Sequence, residues 1–230
     1  MIASRLDHLV LVSPTLEDGV RWCERHLGVQ PGPGGAHPLM GTHNRLLNIS
    51  SAGFPTAYLE IIALDPAATP TRASGLRRWF DMDDEHLMAR VHTQGPLLAH
   101  WVARTPDVHI AATSLRSEGL EPGDILQASR MTATGLLQWK ITVRDDGRRL
   151  LDGTLPTLIQ WGDAHPTDHM PSSGVTLERL ILRHPQAQAL KNSLQVLGLQ
   201  ESPLIRVESG EPGLEAEFQV RGLTRTVAPT

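Results

Sequence analysis

The chain of 230 residues is 40% hydrophobic and 20% charged, so it can bury an ordinary core without a metal ion or a disulfide as a staple. A formal net charge of −4 and scattered arginines provide no basic surface for a phosphate backbone, which argues against nucleic acid as a partner. The single cysteine excludes an internal disulfide, and neither a secretion signal nor the roughly 20 apolar residues of a membrane span is found, so we expect a cytoplasmic protein.

Three nine-residue segments that end in proline recur along the chain and align without gaps. They are LDHLVLVSP (6–14), LAHWVARTP (98–106) and LERLILRHP (177–185). Each precedes a stretch with helical apolar spacing that closes on a glycine, at Gly28, Gly119 and Gly198. Because proline is tolerated where a helix begins and glycine readily ends one, each copy predicts a strand followed by a helix.

The first copy predicts a complete βαβββ unit over residues 1–67. Leu16, Val20, Cys23 and Leu27 form one stripe of a 3.6-residue period, which predicts an amphipathic helix with the cysteine on its buried face. Thr15, with Asp18, suits a helix N-cap. Two apolar strands, HNRLLNIS and AYLEIIAL, follow a short extended stretch near Pro38.

Residues 68–95 separate this unit from the next. SGLRRWF and DDEHLMARV have the spacing of short helices, so we expect a helical insertion that covers one end of the sheet as a lid.

The second and third copies predict further units of the same kind. Residues 96–166 contain a helix followed by the strands DILQASRMT, GLLQWKITV and TLPTLIQWG. Residues 167–230 contain a helix followed by the shorter strands PLIRVES, LEAEFQV and LTRTV, which predicts a reduced third module.

Tandem βαβββ units with a histidine in the first strand and a carboxylate in the last resemble the glyoxalase-like branch of the vicinal-oxygen-chelate superfamily, which also hosts bleomycin-resistance proteins and dioxygenases. The phrases that carry the resemblance are LDHLVLVSP, HPLMGTHNRLL (37–47), YLEIIALDP (58–66) and LPTLIQWGDAHP (155–166). The resemblance implies an α+β fold, in which the modules form an open, curved barrel of mixed sheet with the helices packed outside. It also implies a cavity for a small-molecule substrate and suits a homodimer.

In that superfamily the first and last strands of the modules present metal ligands to the barrel interior. Carried over to this sequence, the ligands are His8, Glu60, His100 and Gln160, which would suit Zn, Ni, Fe, Mn or Co. No nucleotide cofactor is expected. Gln160 departs from the glutamate of many metal-binding relatives and so weakens the expectation of a metal. Arg179 replaces the histidine in the third copy, so no metal site is expected there.

Each of these residues also has an ordinary structural interpretation. His8 and His100 could be hydrogen-bonded core histidines, Glu60 could face solvent, and Gln160 could satisfy backbone groups. Other candidates for substrate contact are His43 and Asn44 at a strand start, Arg130 as a clamp for a carboxylate, and Trp139 as a stacking surface. Turn chemistry, solvation and core packing explain these four as well.

Two functions remain open on this basis. The first is a metal-dependent glyoxalase-like enzyme, an isomerase, lyase or dioxygenase for a small oxygen-rich metabolite, with Glu60 as ligand and catalytic base. The second is a metal-free protein that binds or sequesters a small hydrophobic compound in the same cavity.

Overall fold

The structure, a computed structural model, describes residues 2–132, 135–199 and 204–228. The strands and α-helices of these residues are, in chain order, β1 (Arg5–Val12), α1 (Leu16–Leu27), β2 (Ala36–His37), β3 (Thr42–Asn48), β4 (Tyr58–Leu64), α2 (Glu85–Gln94), β5 (Leu97–Arg104), α3 (Val108–Ser117), β6 (Asp124–Thr132), β7 (Gly135–Val143), β8 (Thr157–Trp161), β9 (Val175–Arg183), α4 (Ala187–Val196), β10 (Ile205–Glu208), β11 (Gly213–Val220) and β12 (Leu223–Val227). Short 3-10 helices lie at Leu150–Gly153 and Pro166–His169. None of the α-helices in the described ranges has the length and hydropathy of a membrane span.

An eight-stranded mixed sheet with the order β2-β3-β4-β1-β5-β8-β7-β6 joins the first two units. Each half has its first strand parallel to its last, and the two first strands, β1 and β5, pair antiparallel at the centre. His8 lies opposite Val102, and His100 lies opposite Val10. This crosswise pairing relates the halves by a pseudo-twofold axis with His8 equivalent to His100. The predicted α+β fold of tandem βαβββ modules is confirmed.

Helix α1 is held against the sheet as its sequence predicts. The Asp18 backbone N–H donates to Thr15 Oγ1 at 3.1 Å, and the helix ends at Gly28 with φ of +69°. A Cβ added at Gly19 would lie 2.2 Å from Ile61 Cγ2 of β4. The helix is therefore packed so closely that any larger residue at position 19 would push it off the sheet.

An apolar layer lies between the helix-facing side of the large sheet and the helices. Leu9 and Leu11 of β1 are fully buried in it, as is Trp101 of β5. Each aliphatic side chain buried in this way stabilises the fold by about 1.5–3 kcal/mol. Cys23 belongs to the same layer, where burial, together with the nearby charge of Glu24, raises the pKa of its thiol to about 12. The thiol is thus protonated and serves packing.

The third unit forms a separate four-stranded sheet with the order β10-β9-β11-β12. Its element order is βαβββ, but the strands pair differently. The first strand, β9, pairs in parallel with β10, the strand that follows its helix, and antiparallel with β11. In the other two units the first strand pairs in parallel with the last strand of the unit. Leu177, Leu214 and Phe218 join the apolar layer of the large sheet. Pro203, at the start of a predicted strand, lies outside the described residues. The chain positions that divide the units, after residues 67, 95 and 166, stay a prediction.

The insertion contains one of the two predicted helices. Residues 85–94 form α2, but residues 74–80, predicted as a helix, form turns. The Arg77 N–H donates to Asp145 O at 2.9 Å, beyond the end of β7. This backbone group therefore bonds to the neighbouring loop and not within a helix. Phe80 and Asp81 then adopt positive φ of 60° and 58°, which an α-helix does not allow.

Candidate functional site

A cavity lies on the side of the large sheet that faces away from α1 and α3. We call it the inner cavity. Its polar and aromatic lining comprises His8, His37, Asn44, Tyr58, Glu60, Trp79, Phe80, Arg130, Trp139 and Trp161. Both halves of the sheet and the insertion therefore contribute to the cavity.

A β-bulge in β1 brings two neighbouring side chains, Asp7 and His8, together. The register with β5 shifts between Leu6 and His8, which leaves Asp7 as the extra residue. Leu6 consequently packs in the helix-side layer, whereas strand alternation predicts it on the side of His8. His8 Nδ1 donates to Asp7 Oδ1 at 2.7 Å because a carboxylate can only accept. His8 Nε2 lies 3.5 Å from Glu60 Oε2.

Asp7 is a fully buried carboxylate with three donors around it. Besides His8, Trp161 Nε1 and His165 Nε2 each donate to its Oδ2 at 3.0 Å. The Thr167 N–H donates to His165 Nδ1, which assigns the proton of that ring to Nε2. Burial alone would raise the pKa of Asp7, but the hydrogen bonds from His165 and His8 hold it well below its usual range. Asp7 is therefore ionised.

Glu60 projects from β4 into the cavity and is 5% exposed. Asn44 of β3 donates to Glu60 Oε1 from its Nδ2 at 2.6 Å. The orientation of this amide is fixed on the other side, where its Oδ1 accepts from the Gly35 N–H at 2.8 Å and from Arg130 Nη1 at 3.3 Å. One oxygen of Glu60 is thus hydrogen-bonded, and the other faces His8.

Two further side chains of the first half, His37 and Tyr58, border this pair. His37 Nε2 lies 3.3 Å from Asn44 Nδ2 and 4.0 Å from Glu60 Oε1, and burial lowers the pKa of His37 to about 4. The ring is neutral at pH 7. The Tyr58 ring stacks on His8 with a centroid distance of 4.5 Å, and burial raises the pKa of its hydroxyl well above its usual value.

His100 and Gln160, two of the four predicted metal ligands, do not reach the inner cavity. His100 Nδ1 donates to Gly153 O at 2.9 Å, and its Nε2 accepts from the Thr157 N–H at 3.2 Å. Burial lowers the pKa of this ring to about 3. Gln160 Oε1 accepts from the Val108 N–H at the start of α3, on the helix-facing side. Both side chains therefore satisfy backbone groups.

The predicted alignment of Gln160 with Glu60 differs by three residues from the strand pairing. Val10 pairs with Glu60 between β1 and β4, and its equivalent, Val102, pairs with Thr157 between β5 and β8. Thr157 is thus the counterpart of Glu60. An odd shift along a strand turns a side chain to the opposite face, which explains why Gln160 faces α3.

The predicted substrate contacts also divide between the two faces of the sheet. Asn44, Arg130 and Trp139 line the inner cavity. His43 alternates with Asn44 along β3, so it lies on the opposite side, where it is half-buried.

Sequence reasoning missed several cavity residues. Strand alternation placed Asp7 away from His8, and the bulge that reverses this has no sequence signal in one chain. His165, in the proline-rich connector after β8, caps the short 3-10 helix and also donates to Asp7. His37 lies in a segment without a clear period, although it belongs to the HPLMGTHNRLL phrase, and Trp79 lies in the SGLRRWF segment predicted as a helix.

The residues implied as metal ligands do not fit a metal ion as a set. His8 and Glu60 face each other, whereas the other two make hydrogen bonds elsewhere. Among the side chains of residues 2–132, 135–199 and 204–228, no three histidines, cysteines or acidic residues are grouped to hold a metal ion.

A wider cavity adjoins the inner one, and we call it the outer cavity. The two cavities share Leu46, Arg130 and Pro166 as lining residues. The outer cavity also has an apolar lining from Pro33, Leu136, Leu137 and Met170. Arg130 therefore stands at the junction between the cavities.

Comparisons with known proteins agree with this architecture. A hypothetical protein from Staphylococcus aureus is similar over 98% of this chain and 85% of that chain, with a TM-score of 0.60 and 15% identity, which shows a shared fold. A methylmalonyl-CoA epimerase from Mycobacterium tuberculosis aligns over 69% of this chain and 87% of that chain, with a TM-score of 0.39 and 16% identity. None of the curated proteins compared matches the sequence. The model of the glyoxalase-like domain family matches residues 6–198, and the chain therefore belongs to that family, with the vicinal-oxygen-chelate fold.

Proposed function

We propose that this protein is a glyoxalase-like enzyme that moves a proton at a carbon atom next to a carbonyl group of a small, oxygen-rich compound. The observation that carries the proposal is the buried pair of Glu60 Oε2 and His8 Nε2, 3.5 Å apart, with Asp7 hydrogen-bonded to the far side of the histidine. A carboxylate and an imidazole that is hydrogen-bonded to a second carboxylate, both facing one cavity, are the groups that general acid–base catalysis uses.

The roles of the two groups follow from their contacts. Glu60 takes the proton from carbon with its Oε2, and the electron pair of the C–H bond moves onto the carbonyl oxygen to give an enolate. His8 lies close enough to Glu60 to exchange a proton with it directly. Asp7 holds the His8 ring with Nε2 towards the cavity. Return of the proton to another position completes an isomerisation, and expulsion of a neighbouring group completes a lyase reaction.

Exchange of substrate hydrogen with solvent tests this proposal whatever product the reaction gives. A panel of small 2-oxo and 2-hydroxycarbonyl compounds is incubated with the protein in D₂O, and deuterium incorporation is followed by NMR. We expect Glu60→Gln to slow exchange by about 100-fold or more, since general base catalysis contributes roughly that much. Glu118→Gln, at an exposed site after α3, removes the same charge and should leave the rate unchanged.

Exchange that continues at the same rate in Glu60→Gln would contradict the assignment of Glu60. Each assay is repeated after chelation and after addition of Zn, Ni, Fe, Mn or Co, which tests the metal dependence that the family resemblance implies. The homodimer and the cytoplasmic location expected from the sequence stay predictions.

A binding protein without catalysis is the second candidate, and the aromatic lining favours it. Trp79, Phe80, Trp139 and Trp161 form much of the cavity wall, as suits a flat hydrophobic compound. Compounds that bind tightly and show no isotope exchange would support this function over the enzyme.

A further inference from the structure

Arg130 differs in its partners from Arg149 and Arg72, two arginines with little exposure. Arg149 pairs with Asp81 at 2.7 Å, and Arg72 pairs with Asp145 at 3.3 Å. Arg130 has no carboxylate within 4.0 Å among the described residues. Within the part of the chain that the structure describes, its Nη1 donates to the neutral amide oxygen of Asn44, and its Nε is buried without an acceptor.

An unsatisfied, buried N–H is costly, at about 1–3 kcal/mol. The inner cavity contains a second such donor, because Trp79 also lines it and the Trp79 Nε1 is buried without an acceptor. Both of these unsatisfied buried atoms are N–H donors. The cavity thus offers N–H donors and, at Arg130, a positive charge, which suit a ligand group with oxygen acceptors and a negative charge, while Glu60 Oε2 faces His8.

The outer cavity adds a requirement for an apolar part. Leu136, Leu137 and Met170 line it, and Leu136 is 47% exposed. Apolar surface left open beside a polar cavity is typical of a binding site for a molecule with two unlike ends. Because the Arg130 guanidinium reaches Asn44 in the inner cavity, the charged end belongs inside and the apolar end outside.

We propose that the ligand of this protein is a carboxylic acid with an aliphatic or aromatic tail, whose carboxylate binds Arg130 and whose tail occupies the outer cavity. The inference deepens the proposed function and rests on it only in assigning this ligand to the cavity of Glu60. Bound in this way, the carbons next to the carboxylate lie beside the Glu60–His8 pair. Arg130 sets specificity, because a charged donor binds an ionised acceptor more strongly than a neutral one.

Three probes of nearly equal shape test the charge requirement by titration calorimetry. They are 4-phenylbutyrate, 4-phenylbutyramide and 4-phenylbutylamine, which are anionic, neutral and cationic. We expect the acid to bind at least about tenfold more tightly than the amide, as one lost charge-assisted hydrogen bond predicts, and the amine not to bind. Acetate, which has no tail, should bind at least about tenfold more weakly than 4-phenylbutyrate.

Variants locate the effect at Arg130. Arg130→Gln should abolish the preference for acid over amide, and Arg130→Lys should keep part of it. Arg45→Gln removes the same charge from an exposed position on β3 and should keep the full preference. Circular dichroism melting of each variant establishes that it folds.

Equal binding of acid and amide, an unchanged preference in Arg130→Gln, or no binding of any probe would overturn the proposal. The Glu60→Gln variant distinguishes failure of this proposal from failure of the proposed function. If Glu60→Gln still binds the acid and loses isotope exchange, both proposals stand. If it keeps exchange while Arg130→Gln loses binding, the catalytic proposal fails and the ligand class stands.

Discussion

The two halves of the large sheet share a strand order and a histidine at the same place, yet they use that histidine differently. In the first half, His8 Nε2 faces the Glu60 carboxylate at 3.5 Å across the inner cavity. In the second half, His100 Nε2 lies 3.0 Å from the Thr157 hydroxyl, at the position equivalent to Glu60. The same pair of positions therefore holds a histidine that faces a carboxylate in one half and a buried neutral hydrogen bond in the other.

Neighbouring positions follow the same division. Asn44, which orients Glu60, pairs with Ile62 of β4, and the equivalent pairing in the second half joins Ile141 to Ile159. Asp7 corresponds to an alanine in the segment LAHWVARTP. The comparison teaches that the histidine of one half faces the cavity while that of the other is structural, and that the second half instead lines the cavity with Arg130, Trp139 and Trp161.

Matched substitutions of the two histidines test this division most strongly. Asparagine retains a donor near the place of Nδ1 and removes Nε2. We expect His8→Asn to slow the isotope exchange by about 100-fold or more with little change in stability, because its remaining donor still reaches Asp7. His100→Asn should keep the exchange rate and lower the free energy of unfolding by about 1–3 kcal/mol, because the Thr157 N–H loses its acceptor.

Exchange kinetics and urea unfolding of both variants make the measurement. Equal loss of activity in His8→Asn and His100→Asn, at equal cost in stability, would show that the halves are not divided in this way. Thr157→Val is the control for the second half, since it removes a hydroxyl next to His100 without altering the inner cavity.

Asp7 has no counterpart in the second half, so its removal sharpens the comparison further. In Asp7→Asn the new amide offers one acceptor where His8, His165 and Trp161 all donate. We expect the exchange rate to fall by about 10-fold or more, because the His8 ring loses the carboxylate that fixes its tautomer and orientation. A change in kcat and in its pH profile, with KM nearly constant, would identify a positioning role.

The matched control is Asp163→Asn, because Asp163 is exposed in the connector after β8 and carries the same charge. If Asp7→Asn raises KM and leaves kcat unchanged, Asp7 shapes the binding site instead of orienting His8.

Much of the fold could be predicted from the sequence, because its signals are local and repeated. Proline and glycine punctuate each unit, and Cys23 and Leu27 of the predicted helical stripe are buried while Leu16 packs against the same core. The family phrases also identified His8, Glu60 and Asn44, which the structure brings to one cavity. Glu60 and Asn44 lie on regular stretches of strand, where alternation gives the direction of a side chain reliably.

The rest of the site depends on features that one sequence does not encode visibly. A single bulged residue turns Asp7 towards His8, and no local pattern predicts a bulge there. The predicted alignment of β4 with β8 is wrong by three residues, so it gives Gln160 in place of Thr157 as the counterpart of Glu60. The two strands have similar apolar sequences, which do not fix their alignment. Trp79 reaches the cavity from a loop pinned by distant backbone contacts, and propensity alone favoured a helix for that segment.

The smallest expected effect is on how the free energy of unfolding depends on pH. It allows the buried histidines of the two halves to be compared by the same measurement. Burial lowers the pKa of His37 in the first half to about 4 and that of His100 in the second to about 3, from an ordinary value of 6.5. Below pH 6.5 these two histidines are protonated in the unfolded chain but stay neutral in the folded protein. The free energy of unfolding therefore falls as the pH is lowered towards 4.

Each of these histidines contributes a slope of up to about 1.4 kcal/mol per pH unit in this window. Urea unfolding between pH 7 and 4 should therefore show a shallower slope in His100→Asn than in the wild type. Thr157→Val, which retains the titrating ring, should keep the wild-type slope at lower overall stability. An unchanged slope in His100→Asn would mean that this ring is not held neutral by burial, and the structural role assigned to the second half would lose its main support.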